Sequence, residues 1–245
     1  MLANRWRRKL IGSRQAIAML RRTTMYRPPK TEYDSVIMAD LTRTYPLDQW
    51  FMDHMDNIAT VLNLYAYTNS GMGYAQGMAF IVFVLYKTFY EDDPEYAIHD
   101  TYYAFHRVVE VIRPIYPLGS KDSRPHKFKD SVKQLIYVKL AIYDMDLAQK
   151  LKSSPDIIPI VIFQSVPALF ANKFSSIEET SLLFDFIFCD KPIDTFHSTV
   201  CVLCAILLRF RHIFMSMSFE KTLELIQVKE YYNVRKIIAI ASRVK

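Results

Sequence analysis

The chain has 245 residues, of which 51% are hydrophobic and 14% aromatic, so it can bury a substantial core and is not predicted to be disordered. It has only five glycines, which argues against the turn-rich sequences of β-sandwiches and barrels. Its cysteines, Cys189, Cys201 and Cys204, are too few for a disulfide framework and favour a reducing, intracellular setting. No secretory signal is seen. The apolar runs at 78–86 and 200–208 are shorter than the ~18 residues that a membrane span requires.

The net charge of +6 is unevenly distributed. Residues 1–30 contain nine arginines and lysines and no acid, so this segment carries +9 and the remainder −3. Three interpretations stay open for it: a helix with a basic solvated face, a site for an anionic membrane surface or an acidic partner, and a mitochondrial transit peptide. Binding to nucleic acid is not predicted, because the chain has no RNP motif, zinc-ligand spacing or recognition-helix pattern.

Apolar residues recur at helical spacing along nearly the whole chain, and no sustained alternation predicts a strand. The first long run, from Leu47 to Tyr65, predicts a helix of some five turns with Pro46 at its first position. Because the residue before a proline avoids the α region, the chain at 43–45 is predicted to be a loop or a helix end. Arg43 would then present its side chain to solvent. The fold is predicted to be all-α.

The next apolar run begins at Tyr74 and is apolar on all sides, which is typical of a helix buried among others. A turn at 69–73 precedes it, which places Gln76 in the first turn of this helix. Later helices are predicted at 96–111, 132–151, 157–170 in two pieces, 195–214, 219–227 and 231–244, and one more is predicted to end at about 188. Two overlapping capping boxes, Ser175-x-x-Glu178 and Ser176-x-x-Glu179, mark the start of one of them.

One segment interrupts this helical pattern. Residues 113–130 are polar, charged and proline-bearing, and they predict a boundary between two helical lobes. We therefore expect a single domain over residues 1–245, with an N-terminal lobe at about 1–113 and a C-terminal lobe at about 130–245.

Other candidate motifs lack the context that their chemistry needs. Gly71-x-Gly73-x-x-x-Gly77 has neither the spacing nor the preceding strand of a nucleotide-binding loop, so we interpret it as a tight turn with close helix packing. Cys201-x-x-Cys204 lies within an apolar helix, which favours buried thiols over a metal site. No Ser-His-Asp or Cys-His set has supporting context, so hydrolysis of a small substrate is not predicted.

Two long polar side chains stand out at the edges of apolar segments. Arg43 lies in the segment IMADLTRTYP, and Gln76 lies 33 residues later in GYAQGM. A guanidinium that neutralises phosphoryl charge and an amide that orients water are the side chains that GTP hydrolysis most often needs.

These two segments resemble the signatures of the TBC domain, the Rab GTPase-activating family. The stretches WRRKLIG near the start and LLFDFIF at 182–188 also resemble family motifs, in the expected order. The resemblance implies an all-α, two-lobed, V-shaped fold that seats a Rab-type small GTPase. It implies an activator of hydrolysis with no turnover of its own, while GTP and magnesium are carried by the GTPase, so no cofactor or metal is expected.

By the same resemblance, Arg43 would be an arginine finger and Gln76 a glutamine finger. Asp40 would orient Arg43 from one helical turn away, and Thr44 and Tyr74 would support the two loops. The implied role is in vesicle trafficking, in the cytoplasm and peripherally on endomembranes. Two alternatives stay open: a catalytically inactive Rab-binding scaffold that uses the same groove, and an unrelated all-α protein with chance motifs.

Overall fold

The computed structural model describes residues 2–22, 31–115, 130–189 and 194–244. All regular elements in these ranges are helical, which confirms the predicted all-α fold. A π-helix at Arg7–Ile11 and short 3₁₀ turns accompany the α-helices. The α-helices are α1 (Leu2–Trp6), α2 (Arg14–Leu20), α3 (Asp34–Thr44), α4 (Gln49–Asp53), α5 (Met55–Thr68), α6 (Met78–Tyr90), α7 (Ala97–Ile112), α8 (Asp130–Tyr143), α9 (Met145–Ser153), α10 (Ile157–Ser165), α11 (Ile177–Cys189), α12 (Thr195–Arg209), α13 (Arg211–Ser216), α14 (Phe219–Leu225) and α15 (Val234–Ala241).

Within these ranges the chain forms two compact units. The first contains residues up to 111 together with the short segment 167–172, and the second contains the rest of the described chain from 112 onward. Most of the predicted boundary segment 113–130 lies outside the described residues. The predicted lobes and their V-shaped arrangement therefore stay predictions. None of the helices in the described part of the chain is long and apolar enough to span a membrane.

Helix α6 forms the centre of the first unit. Nine of its thirteen residues are buried, as its sequence, apolar on all sides, predicts. It packs against α1, α3 and α5. Because α6 cannot rotate without exposing apolar surface, the turn that leads into it is held in a fixed place.

The helix predicted from Pro46 to Tyr65 is wrong in its start and its continuity. Pro46 lies in a turn, Leu47 is 98% exposed, and α4 begins only after Asp48. The Asp48 side chain accepts the Phe51 N–H at 2.8 Å, so an aspartate cap defines the start instead of the proline.

The same predicted helix is also broken in its middle, at His54. The imidazole Nδ1 of His54 lies 2.8 Å from the Trp50 carbonyl oxygen, while its backbone N–H donates to Phe51 in a tighter turn. This side-chain contact occupies the carbonyl that a continuous helix would use, so α4 ends there and α5 begins.

The second unit is centred on α12, which packs against α8, α11 and α15. Cys201 and Cys204 are buried in α12 as thiols outside any disulfide of the described residues, as predicted, and burial raises the pKa of Cys204 to about 12. The Ser176 hydroxyl accepts the Glu179 N–H at 3.2 Å, which is the serine half of one of the two predicted capping boxes at the start of α11.

The basic N-terminal segment is not a fully solvated helix face, because Arg7 is buried. On α7, the buried carboxylate of Asp100 accepts Arg7 Nε at 2.5 Å and Arg21 Nη2 at 2.5 Å. The hydrogen bond to Asp100 is also the main cause that raises the pKa of Arg21. This arginine–aspartate cluster ties the first two helices to α7 across more than 70 residues of sequence.

The cluster predicts a large stability effect for Asp100→Asn. Removing the carboxylate leaves the buried Arg7 guanidinium with less compensation, and breaking such a pair costs about 3–5 kcal/mol. Glu110→Gln is the matched control, since Glu110 pairs with Arg107 at a surface where both side chains are more than half exposed. Chemical denaturation should show a large decrease in the free energy of unfolding for Asp100→Asn and little change for Glu110→Gln. Equal decreases in the two variants would show that Asp100 does not anchor the N-terminal helices.

Lys173 is a buried cation of the second unit. Only 5% of it is exposed, its Nζ lies 3.4 Å from the Ile226 carbonyl oxygen, and the same atom lies 5.6 Å from the centroid of the Tyr232 ring. Burial, with a smaller contribution from Lys229, lowers its pKa to about 8.

This lowered pKa predicts that Lys173→Met stabilises the protein in a pH-dependent way. Below pH 8 the folded protein carries the buried charge at full cost, and that cost falls as the pH rises from about 8 toward the unfolded value of 10.5. The free energy of unfolding of the variant should exceed that of the wild type by up to about 3 kcal/mol below pH 8, and this difference should close toward pH 10. Thermal unfolding across this range tests it, with the exposed Lys152→Met as control. A gap that does not depend on pH would refute it.

Candidate functional site

Arg43 lies in the last turn of α3, which agrees with the predicted loop or helix end, and 59% of its side chain is exposed. The Thr44 hydroxyl donates to the Asp40 carbonyl oxygen at 2.7 Å and holds this last turn together. Tyr45 lies outside the helix, and the centroid of its ring is 5.2 Å from that of Phe80 and 4.7 Å from that of Phe83. The chain on both sides of Arg43 is therefore anchored, while the guanidinium points away from the core.

Gln76 lies in the turn that precedes α6, not in the first turn of the helix as predicted. The helix begins at Met78, because Gly77 adopts a left-handed conformation with φ of +101°. A residue with a Cβ rarely adopts this conformation, so the glycine sets the boundary. The Gln76 side chain is exposed.

Asp40 joins these two features. Its carboxylate is buried, with Oδ1 3.4 Å from Arg43 Nε. Its other oxygen, Oδ2, accepts the Tyr74 hydroxyl and, at 2.9 Å, the backbone N–H of Gly77. That N–H belongs to the peptide unit that follows Gln76. One carboxylate therefore contacts the end of α3 and both sides of the Gln76 turn, 34 and 37 residues away.

Two glycines hold the turn against its neighbours, in agreement with the interpretation of the glycine motif as a turn with close packing. A Cβ at Gly73 would lie 2.3 Å from the Tyr33 hydroxyl oxygen, and one at Gly77 would lie 3.2 Å from the Ala168 backbone nitrogen. The segment that meets Gly77 contains Leu169 and Phe170, which are both buried with positive φ values of 47° and 64°. Packing on both sides therefore maintains a strained backbone next to the turn.

The two exposed side chains end in unoccupied hydrogen-bonding groups. Arg43 uses only Nε, and its two Nη groups bond to nothing in the described chain. The Gln76 amide likewise makes no hydrogen bond to any residue that the structure describes. The buried Asp40 carboxylate thus contacts both the Arg43 guanidinium and the peptide unit that follows Gln76. Arg43 offers a fork of donors, and the Gln76 amide can donate and accept. This arrangement suits an anionic, water-attacked substrate that is brought to the surface.

The sequence-predicted residues Arg43, Gln76, Asp40, Thr44 and Tyr74 all take part in this constellation. Three features of the site were not predicted from the sequence: the backbone N–H of Gly77 as a donor to Asp40, the packing of Tyr45, and the contribution of the segment 167–172. A glycine directly after Gln76 was a usable signal for the first of these. No local pattern points to the last.

A family model, described as the Rab-GTPase-TBC domain, matches residues 5–215. The chain belongs to the Rab-GTPase-TBC domain family. Mouse and human proteins, both named TBC1 domain family member 13, are each 26% identical to this TBC domain over 199 residues. The match covers 78% of this chain and 48% of each relative, so the chain spans about half the length of these relatives.

A solved structure supports the same fold. The crystal structure of the Ypt/Rab-GAP domain of Gyp1p superimposes with a TM-score of 0.69 and 17% sequence identity, covering 99% of this chain and 79% of that one. At this identity the likeness establishes the fold alone. The all-α TBC fold expected from the sequence is thus confirmed.

The geometry predicts that Asp40→Ala destabilises the TBC domain and loosens the Gln76 turn. The substitution leaves the Tyr74 hydroxyl and the Gly77 N–H without their acceptor, at a cost of about 2–4 kcal/mol. Tyr74→Phe should cost less, about 1 kcal/mol, because the carboxylate keeps its other donors. Asp53→Ala is the control, since this exposed carboxylate accepts a side-chain bond from Gln49 and from no other described residue.

Denaturant unfolding measures the stability of these variants, and amide hydrogen exchange measures protection at Gly77. We expect exchange at Gly77 to accelerate in Asp40→Ala and to stay unchanged in Asp53→Ala. Asp40→Ala with the stability and exchange rate of the control would show that the carboxylate does not hold the turn.

Proposed function

We propose that this TBC domain accelerates GTP hydrolysis by a Rab-family small GTPase in trans, with Arg43 as an arginine finger and Gln76 as a glutamine finger. The observation that carries the proposal is the shared anchoring on Asp40 of two exposed side chains whose terminal groups are unoccupied. Membership of the family supports the choice of partner.

The proposed chemistry follows from the charge that develops during phosphoryl transfer. The Arg43 guanidinium would place its free Nη donors on oxygens that gain charge in the transition state. The Gln76 amide would orient the attacking water, since an amide can donate and accept hydrogen bonds at once. GTP and magnesium would belong to the GTPase, so the domain activates an enzyme and turns over nothing itself.

The roles of the supporting residues follow from their contacts. Asp40 would orient Arg43 through Nε, and through Gly77 it would fix the peptide unit that carries Gln76. Tyr74 would hold the same carboxylate from the other side, and Thr44 would secure the end of α3. None of these three needs to touch the nucleotide.

The proposed partner also suggests a cellular setting. Because the family acts on Rab proteins, we place the domain in vesicle trafficking, at the cytoplasmic surface of endomembranes. An anionic membrane surface is a second proposed partner, through the basic residues 1–30. Arg8, Arg14 and Arg22 in this segment are exposed and available for such contacts.

Single-turnover GTP hydrolysis across a panel of purified Rab proteins tests the proposal. We expect one or a few Rabs to respond to the wild type. Arg43→Lys should lose about 100-fold or more of the acceleration, because lysine keeps the charge without the fork of donors. Gln76→Ala should also lose most of the acceleration.

Matched controls separate these effects from general changes of the surface. Arg107→Lys replaces an exposed arginine, and Gln15→Ala an exposed glutamine, in the same unit but outside the constellation. Both should keep full activity. Binding of a Rab without acceleration by the wild type would favour the alternative of an inactive scaffold, and neither binding nor acceleration by any Rab would overturn both functions.

A further inference from the structure

A cavity of about 840 Å³ opens in the first unit, beside the N-terminal helices. None of the residues that line it belongs to the Arg43–Gln76 constellation. Its lining is dominated by arginines, namely Arg7, Arg8, Arg14, Arg21 and Arg22. The volume falls in the range of small-molecule sites, about 300–1,000 Å³.

The three acids at this cavity are all paired with two of its arginines. Asp92 pairs with Arg7, and Asp93 pairs with Arg21 at 2.8 Å. The buried Asp100, behind the lining, accepts bonds from the same two arginines. Five arginines against these three aspartates leave the site with a net charge of +2.

The remaining cations have no counter-charge of their own. Arg8, Arg14 and Arg22 form no ion pair with any residue that the structure describes, and all three are exposed. Among the described residues, their guanidinium groups make one hydrogen bond, from Arg8 Nε to the Asn4 carbonyl oxygen at 3.3 Å. In addition, Nη2 of the buried Arg7 lacks a hydrogen-bond partner in the described chain. Arg7 and Arg21 are therefore held in place by Asp100 and its neighbours, and with two guanidinium groups against three carboxylates this wall has a net charge of −1. The exposed guanidinium groups around it supply the positive charge of the site.

We propose that this cavity binds a ligand that carries two or more phosphate monoester groups. Guanidinium groups bind phosphate oxygens in a bidentate manner. Several guanidinium groups in one concave site therefore fit a ligand with clustered phosphates better than a ligand with a single carboxylate. Such a ligand could be the headgroup of a polyphosphorylated lipid or a soluble polyphosphorylated ring. The chemistry recognised is the same in both.

Two probes distinguish these sources. Soluble inositol hexakisphosphate is titrated calorimetrically into the full chain. Phosphatidylcholine vesicles with and without about 5% phosphatidylinositol bisphosphate are used in a sedimentation assay. The variants Arg14→Glu and Arg22→Glu reverse a charge at the cavity. Lys9→Glu makes the same change at an exposed neighbouring residue that does not line it.

The expected result is binding of the soluble probe that weakens about tenfold or more in Arg14→Glu and Arg22→Glu and changes less than about twofold in Lys9→Glu. Vesicle binding with the same ranking, and its competition by the soluble probe, would identify a lipid headgroup as the ligand. Soluble binding without vesicle binding would identify a free polyphosphate.

Two results would overturn the proposal. One is no binding of either probe. The other is an equal loss of binding in Lys9→Glu, which would show diffuse attraction to a basic surface instead of a site. The proposal is independent of GTPase activation, since none of these variants touches Arg43, Asp40 or Gln76.

Discussion

The candidate site depends on one buried carboxylate, that of Asp40. A buried charge is tolerated only when hydrogen bonds replace the lost water, and here the replacements come from the Tyr74 hydroxyl, the Gly77 N–H and Arg43 Nε. Because two of these donors flank Gln76, satisfying the carboxylate also positions the Gln76 turn. The hydrogen bonds that the buried Asp40 carboxylate requires therefore hold the candidate site in place. The Arg43 Nη groups and the Gln76 amide remain in solvent. In general, polar groups that are held in place before a ligand binds need not be ordered at that moment.

A second buried carboxylate, Asp100, has the same role for the N-terminal segment. It fixes Arg7 and Arg21 against α7 and thereby gives the first two helices, which are short, a defined position. Short helices have little stability of their own in water, so they require such tertiary anchors. In both cases a buried carboxylate fixes arginine side chains in place. They differ in what remains exposed, because Arg43 keeps two Nη groups in solvent, whereas all three guanidinium nitrogens of Arg21 are bonded to Asp93 or Asp100.

The helices were predictable because apolar periodicity is a local signal, and α6 was recognised from its uniformly apolar sequence. The predicted helix boundaries were wrong where two local signals were present. The helix start is set by the Asp48 cap and not by Pro46, and the left-handed conformation of Gly77 separates Gln76 from the helix that follows it. The contact between Asp40 and Arg43 was accessible, since the two residues are one helical turn apart. The bonds from Asp40 to Tyr74 and Gly77 join distant segments, and no periodicity in a single sequence encodes such a pairing.

If Asp40 makes Arg43 and Gln76 act as one site, the affinity of the domain for a transition-state mimic should depend on Asp40. A responsive Rab loaded with GDP is mixed with the TBC domain with and without aluminium fluoride, which imitates the transferring phosphoryl group. Asp40→Asn keeps the size of the side chain and an acceptor for the turn, but presents an amide to Arg43. We expect this variant to lose most of the fluoride-dependent gain in affinity, although Arg43 and Gln76 are both present. A gain in affinity equal to that of the wild type would show that Asp40 does not couple Arg43 to Gln76.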